Sequence, residues 1–190
     1  VSTVRWFVIL AAMAARVSAQ DFGVELPADV KKALQRHVGT WDFESVMAPT
    51  ANVPQGAKAK GTSVIDWALD GRFLRSVGTG TNTIGDREVK LAVEVILTYD
   101  PRAKVYRKWT FWSQSDKNGR TGFWGGPSFA VEMTWDEASQ TFAATGSDAG
   151  TTLKGTVKFK DDDTMEMKNV LTDKNGTVLQ DQTAVFKRRK

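Results

Sequence analysis

From Trp41 onward the chain alternates apolar and polar residues with a period of two, in short runs separated by turn residues, almost to its C-terminus. Trp41, Phe43, Ser45 and Met47 alternate with Asp42, Glu44, Val46 and Ala48, which defines a first strand. A loop rich in Pro, Asn, Gln, Gly and Lys follows from Pro49 to Lys60. A second strand is predicted over 61–69, with Ile65 and Trp67 opposite Val64 and Asp66, and Asp70-Gly71 signals a two-residue hairpin into a third over 72–79. A Gly/Thr/Asn segment then leads to 88–99, where Val89, Leu91, Val93, Val95, Leu97 and Tyr99 alternate strictly. Asp100-Pro101 turns the chain into an aromatic strand over 105–114, with Tyr106, Trp109, Phe111 and Trp112, and Asp116-Lys117-Asn118-Gly119 forms the next turn. Further strands are expected at 121–125, 129–136, 141–146, 151–160, 164–172 and 178–188.

Ahead of the strands the period is different. Pro27 suits a first helical turn, and Val30, Leu34 and Val38 at four-residue spacing predict a short helix, with Gly39 as its C-terminal cap. One helix followed by about ten short strands with turn chemistry between them predicts an all-β, antiparallel, up-and-down β-barrel, because a meander closed on itself has no exposed edges.

Residues 1–19 stand outside that pattern. Arg5 precedes an apolar run from Trp6 to Ala15, and Val17-Ser18-Ala19 supplies small residues for a cleavage site, so a secretory signal is expected, followed by one barrel domain over 20–190. A spanning helix needs about 20 apolar residues, and Arg16 interrupts this run, so no stable membrane insertion is expected after cleavage. Loss of Arg5 and Arg16 takes the basic residues from 26 to 24 against 22 acids, and the charge from +4 to +2. That balance, with a basic tail only four residues long, argues against nucleic acid as a partner. Cysteine is absent, so neither a disulfide framework nor thiolate chemistry is available.

The Gly39-Thr40-Trp41 triplet after a short helix resembles the opening of lipocalins and other calycins. That resemblance implies a barrel floor closed by Trp41, with Gly39 permitting close backbone approach and Arg188 or Arg189 packed over the indole. An arginine so placed gains about 0.5–2 kcal/mol of cation–π attraction. Leu34-x-x-His37-Val38-Gly39-Thr40-Trp41, Asp70-Gly71-Arg72-Phe73-Leu74, Thr98-Tyr99-Asp100-Pro101 and Tyr106-x-x-Trp109 are together similar to a family of secreted bacterial proteins known only as a domain of unknown function. The resemblance covers roughly residues 30–187 and implies a lipocalin-like barrel, with no activity or catalytic residue attached.

His37 is the single histidine, which excludes a His-rich metal site and leaves any Ser-His-Asp triad dependent on this residue. In the last turn of a helix it suits a dipole or capping interaction. Haem-binding barrels resembling nitrobindin need a proximal histidine late in the chain, where none exists, and no cofactor is expected. Asp66, Glu94 and Glu132 lie opposite the apolar phase of their strands and are expected to face solvent. Arg75 and Arg107 fall in phase with large apolar neighbours, Phe73 and Val77 for the first, Val105 and Trp109 for the second. A charge there is costly unless paired, so each is expected to hold the polar head of a ligand or an internal acid. Trp67, Arg75, Arg107, Trp109 and Phe111 are therefore the predicted cavity lining, while Phe123-Trp124-Gly125-Gly126-Pro127 reads as an aromatic loop at the mouth. Gly78-Thr79-Gly80 and Gly125-Gly126 lack the strand-to-helix context of a phosphate loop. The expectation is a secreted or periplasmic protein that binds a small apolar or amphipathic molecule. An envelope interaction module using outer aromatics, or an enzyme using barrel carboxylates, are the alternatives.

Overall fold

The computed structural model describes residues 25–116, 121–125 and 130–190, so the predicted leader and part of the predicted aromatic loop lie outside the described residues. Helix α1 (Ala28–Gln35) comes first. Eleven strands follow: β1 (Gly39–Met47), β2 (Ala57–Ala68), β3 (Phe73–Ile84), β4 (Arg87–Asp100), β5 (Val105–Ser115), β6 (Thr121–Gly125), β7 (Val131–Asp136), β8 (Thr141–Asp148), β9 (Thr151–Phe159), β10 (Thr164–Thr172) and β11 (Val178–Arg188).

Pro27 stands just ahead of α1, and its carbonyl accepts the first helical hydrogen bond from Lys31 N at 2.9 Å. The helix stops at Gln35, earlier than the spacing of Val38 suggests, because Val30, Ala33 and Leu34 already spend its apolar face on the core. His37 N and Val38 N close a turn onto Leu34 O and Gln35 O. His37 therefore lies beyond the helix, and Gly39 opens β1 at φ +137° instead of capping α1.

All strand pairs are antiparallel, and the sheet closes into one ring: β11 joins β1 within it, and β4 pairs with β5 to close it. The second edge of β5 pairs with β6 over Phe111–Ser115 and with β7 over Tyr106–Lys108. These two strands share one place in the ring, so the eleven strands fill ten places, as the sequence pattern led one to expect.

Two connections differ from the sequence reading. Ala68 and Phe73 are the last paired residues of β2 and β3, so four residues make the turn, with Leu69, Asp70 and Gly71 all at positive φ, and the two-residue hairpin does not form. The Gly/Thr/Asn segment expected to be a loop instead continues β3 to Ile84, and β2 starts already at Ala57. Small side chains face one another there: Gly61 pairs with Gly80, and a Cβ on either would come within 2.1 Å of a carbonyl oxygen on the opposite strand. Only glycine permits that approach. The Phe43 ring packs over Gly61, supplying the apolar cover that the glycine lacks.

Register decides what faces inward. Trp41 is opposite Ser63 and Arg188, Ser63 is opposite Gly78, and Gly78 is opposite Val93. Carried around the ring, the inward series is odd-numbered on β1, β2 and β4 and even-numbered on β3, β5 and β11. Its lower end, with α1 against it, forms the packed core of Leu34, Trp41, Leu74, Leu97, Tyr106, Met133, Phe142, Phe159 and Met165.

Candidate functional site

The floor of the barrel is built around Trp41, which is completely buried. Its Nε1 donates to His37 O at 2.7 Å, and the Arg188 guanidinium lies 4.2 Å from the indole centroid. Arg188 also donates to Val38 O, to Arg36 O at 2.9 Å and to Asp162 O at 2.9 Å, with Asp163 at 3.5 Å. One planar fork thus ties the last strand to the turn after α1. Gly39 at φ +137° already needs glycine, and a Cβ there would also lie 2.5 Å from Arg188 Nη1. Of the two candidate arginines it is Arg188 that covers Trp41, while Arg189 pairs with Asp42 on the outside. Arg188→Lys keeps the charge but not the fork, and chemical denaturation should show a loss of about 1–3 kcal/mol.

His37 is part of the same floor. It packs at 4.9 Å edge-on to Phe159 and at 5.2 Å from Phe142, and its Nδ1 has no hydrogen-bond partner. Burial lowers its pKa to about 4, with Lys108 and Arg36 pushing the same way and the Leu34 and Ala33 carbonyls opposing. It is a buried packing residue of the floor.

Above the floor the lining changes character. On β4, Leu97 is buried, whereas Val95, Val93 and Leu91 of the same inward series keep accessible surface. Across the ring Phe43 and Met167 behave likewise, whereas Val157 and Phe186 pack against the floor core. Many of the inward positions are small: Ala59, Gly61, Ser63, Ser76 and Gly80 on β2 and β3, with Gly146 and Gly155 on the other side. The barrel is therefore filled at the bottom and keeps accessible inward positions along part of its bore, among buried ones such as Ser63, Asn82 and Val89.

Lys108 stands at the junction of these two regions. It is opposite Leu97 on β4 and Val131 on β7, both buried core residues. Burial alone lowers its pKa. Its remaining accessible surface faces the bore, because its phase points inward between two covered neighbours. Between the floor and the strand ends it is the charged inward-facing residue of the described strands, and among the described residues no carboxylate pairs with it. Residues 117–129 contain no acid that could do so. One register row nearer the mouth lie Ser76 and Thr110, and Ser76 Oγ is 2.6 Å from Ser63 Oγ.

The residues predicted to line the cavity fall elsewhere, with one exception. Trp67 does face inward, but at the floor, where its Nε1 donates to Gln35 Oε1 of α1 at 2.7 Å. Arg75, Arg107, Trp109 and Phe111 belong to the outward series. Arg75 pairs with Glu94 at 2.7 Å, and Arg107 bridges Asp100 at 3.1 Å and Glu132 at 2.9 Å. Their apolar neighbours misled because Phe73, Val77, Ile96 and Trp109 are themselves on the outer face, where Ile96 pairs with Trp109. Lys108 was the residue missed. The signal was the Tyr99↔Tyr106 pairing across the Asp100-Pro101 turn, which transfers the odd inward series of β4 to even positions on β5.

Asp66, Glu94 and Glu132 lie on the outside, so no pair of them faces one cavity. Among the described residues no group of three or more His, Cys, Asp or Glu gathers as a metal site would require. A groove of about 450 Å³ crosses the outer face over Gly61 and Gly80, edged by Asp42, Glu44, Lys60, Thr81 and Lys187. Asp42 there is already bound by Arg189 and Thr62, which hold its carboxyl below the usual range.

A closed antiparallel barrel with a helix-packed floor and an accessible bore defines a lipocalin-like barrel protein. The chain belongs to the family described as "Protein of unknown function (DUF1579)", which matches residues 26–188. No curated protein matches it in sequence. Among solved structures it is similar to the S-type phycobiliprotein lyase CPES from Guillardia theta, at 13% identity over 85% of this chain and 93% of that one, with a TM-score of 0.58. A de novo designed fluorescence-activating β-barrel matches at 15% identity over 83% of this chain and 97% of that one, with a TM-score of 0.38.

Proposed function

We propose that this is a secreted binding protein that holds a small, partly apolar molecule in the barrel bore. The observation that carries the reading is the accessible surface that Leu91, Val93 and Val95 keep on the inward face of β4, between buried Leu97 at the floor and buried Val89 nearer the strand end. A core filled for stability alone would bury Val93 and Val95 as it buries Leu97. The fold likeness to a phycobiliprotein lyase supports a barrel of this architecture handling a ligand. Export is supported by the charged, apolar and small-residue order of residues 1–19, and N-terminal sequencing of the periplasmic protein should begin at Gln20. The outward placement of Asp66, Glu94 and Glu132 removes support from a carboxylate enzyme.

Gly78 provides the test. It faces the bore, and a Cβ there would meet nothing closer than 3.6 Å, so the backbone accepts a side chain. Gly78→Phe fills the bore without straining the strand. Nile red, a neutral apolar dye, should bind the wild type, and Gly78→Phe should weaken binding at least about tenfold with the far-ultraviolet spectrum unchanged. Equal binding by both proteins would place the dye outside the bore and sink the reading. Native mass spectrometry of protein purified from periplasm should show an added mass that disappears on denaturation.

A further inference from the structure

Lys108 sets a problem that the packing of this barrel does not solve. Other arginines and lysines near apolar surfaces have partners: Arg188 spends its fork on backbone carbonyls, Arg75 and Arg107 are held by acids, and Arg36 lies 4.6 Å over the Phe159 ring with Asp162 at 3.5 Å. Lys108 instead projects into the barrel between Leu97 and Val131, with no counter-ion from any described residue and no acid in the segment 117–129. An ammonium partly removed from water, with no charged partner, is costly for a fold to hold. A methionine would fill the same space at no such cost. The groups nearest in register add hydrogen-bond capacity and no negative charge: Thr110 two residues along, and the Ser76 and Ser63 hydroxyls across β4.

We propose that the bore is an anion-selective site, in which the Lys108 ammonium pairs with the carboxylate, or similar singly charged head, of an amphipathic ligand whose apolar part lies along Phe43, Leu91, Val93 and Val95. The head sits deep, at the top of the packed floor, and the tail runs toward the mouth. The order follows from the lining: the charge stands at the floor end of the accessible surface, and the apolar positions occupy the bore above it. Thr110 and Ser76 lie one row mouthward, in reach of the second oxygen of a carboxylate held by Lys108. An anion there completes the pair that the described residues leave open. The inference rests on the bore being the binding site, and the experiment separates the two.

The probes are dodecanoate and 1-dodecanol, which share a tail and differ in head charge, titrated into the mature protein. Wild type should bind dodecanoate at least tenfold more tightly, which is about 1.4 kcal/mol. Lys108→Met should lose that preference while keeping its affinity for dodecanol, and Lys108→Arg should retain it. Thermal unfolding gives a second readout: ligand-free Lys108→Met should melt higher than wild type, since it carries no unpaired charge. Lys108→Gln serves if the methionine variant does not fold. Equal affinity of the wild type for both probes, or a preference that survives in Lys108→Met, overturns the proposal. So does failure of both probes to bind. In that case Nile red distinguishes the levels: dye bound by wild type and lost in Gly78→Phe leaves the bore reading standing, and no dye binding overturns both.

Discussion

Replacing Trp41 with alanine is expected to remove about 3–5 kcal/mol of stability, the range for truncating a large buried aromatic. The side chain is completely buried, its Nε1 saturates His37 O at 2.7 Å, and its ring carries Arg188. Truncation therefore leaves a cavity, an unpaired carbonyl and a guanidinium without its face. Domains of this kind have about 5–15 kcal/mol in total, so the variant should populate partly unfolded states at room temperature. Trp41→Phe separates the contributions: it keeps most of the ring but not the hydrogen bond, and should lose about 1–2 kcal/mol. Urea titrations followed by circular dichroism would measure both. A Trp41→Ala midpoint close to wild type would mean that the floor does not hold the barrel closed.

The second large effect is a loss of stability in mild acid traceable to His37. Its pKa is lowered to about 4 in the folded protein from an ordinary 6.5. Between those values the unfolded chain binds a proton that the folded one does not, so stability falls as the pH drops from 6.5 toward 4. Above 6.5 the contribution is complete. The shift corresponds to about 3 kcal/mol in all. Burial is the largest cause, Lys108 and Arg36 add positive charge beside the imidazole, and the Leu34 and Ala33 carbonyls oppose them only in part. Because the chain has one histidine and most carboxylates titrate below this window, the upper part of the effect belongs to one residue. His37→Leu should flatten the melting temperature between pH 6.5 and 5, and a variant that still destabilises in parallel with wild type would assign the effect elsewhere.

The architecture was legible because period-two alternation survives in nearly every strand, and because turn residues mark most connections. Where it failed, side-chain size was responsible. Thr79 to Ile84 carries the composition of a loop, yet it is strand, since Gly61 and Gly80 must approach closer than any Cβ allows. Gly39-Trp41-Arg188 could be anticipated because a resemblance supplied the pairing of residues far apart in sequence. The bore could not, and the reason is local: β5 is apolar on both faces. With Tyr106 and Trp112 inside and Trp109 and Phe111 outside, composition cannot say which series lines the cavity, and only cross-strand register decides. Choosing the outer series selected two ion-paired arginines and passed over Lys108, next to Arg107 on the same strand.

The seam between β1 and β11 also constrains when this protein can fold. The floor hydrogen bonds join Arg188 to Val38 and Arg36 across 150 and 152 residues of chain. Almost the whole polypeptide must therefore be available before the first strand finds its second neighbour, and contacts of such sequence separation form slowly. Until then β1 presents a free edge and Trp41 lacks its cover. A chain that stays open until its last strand arrives makes a truncated or stalled product a substrate for chaperones and proteases.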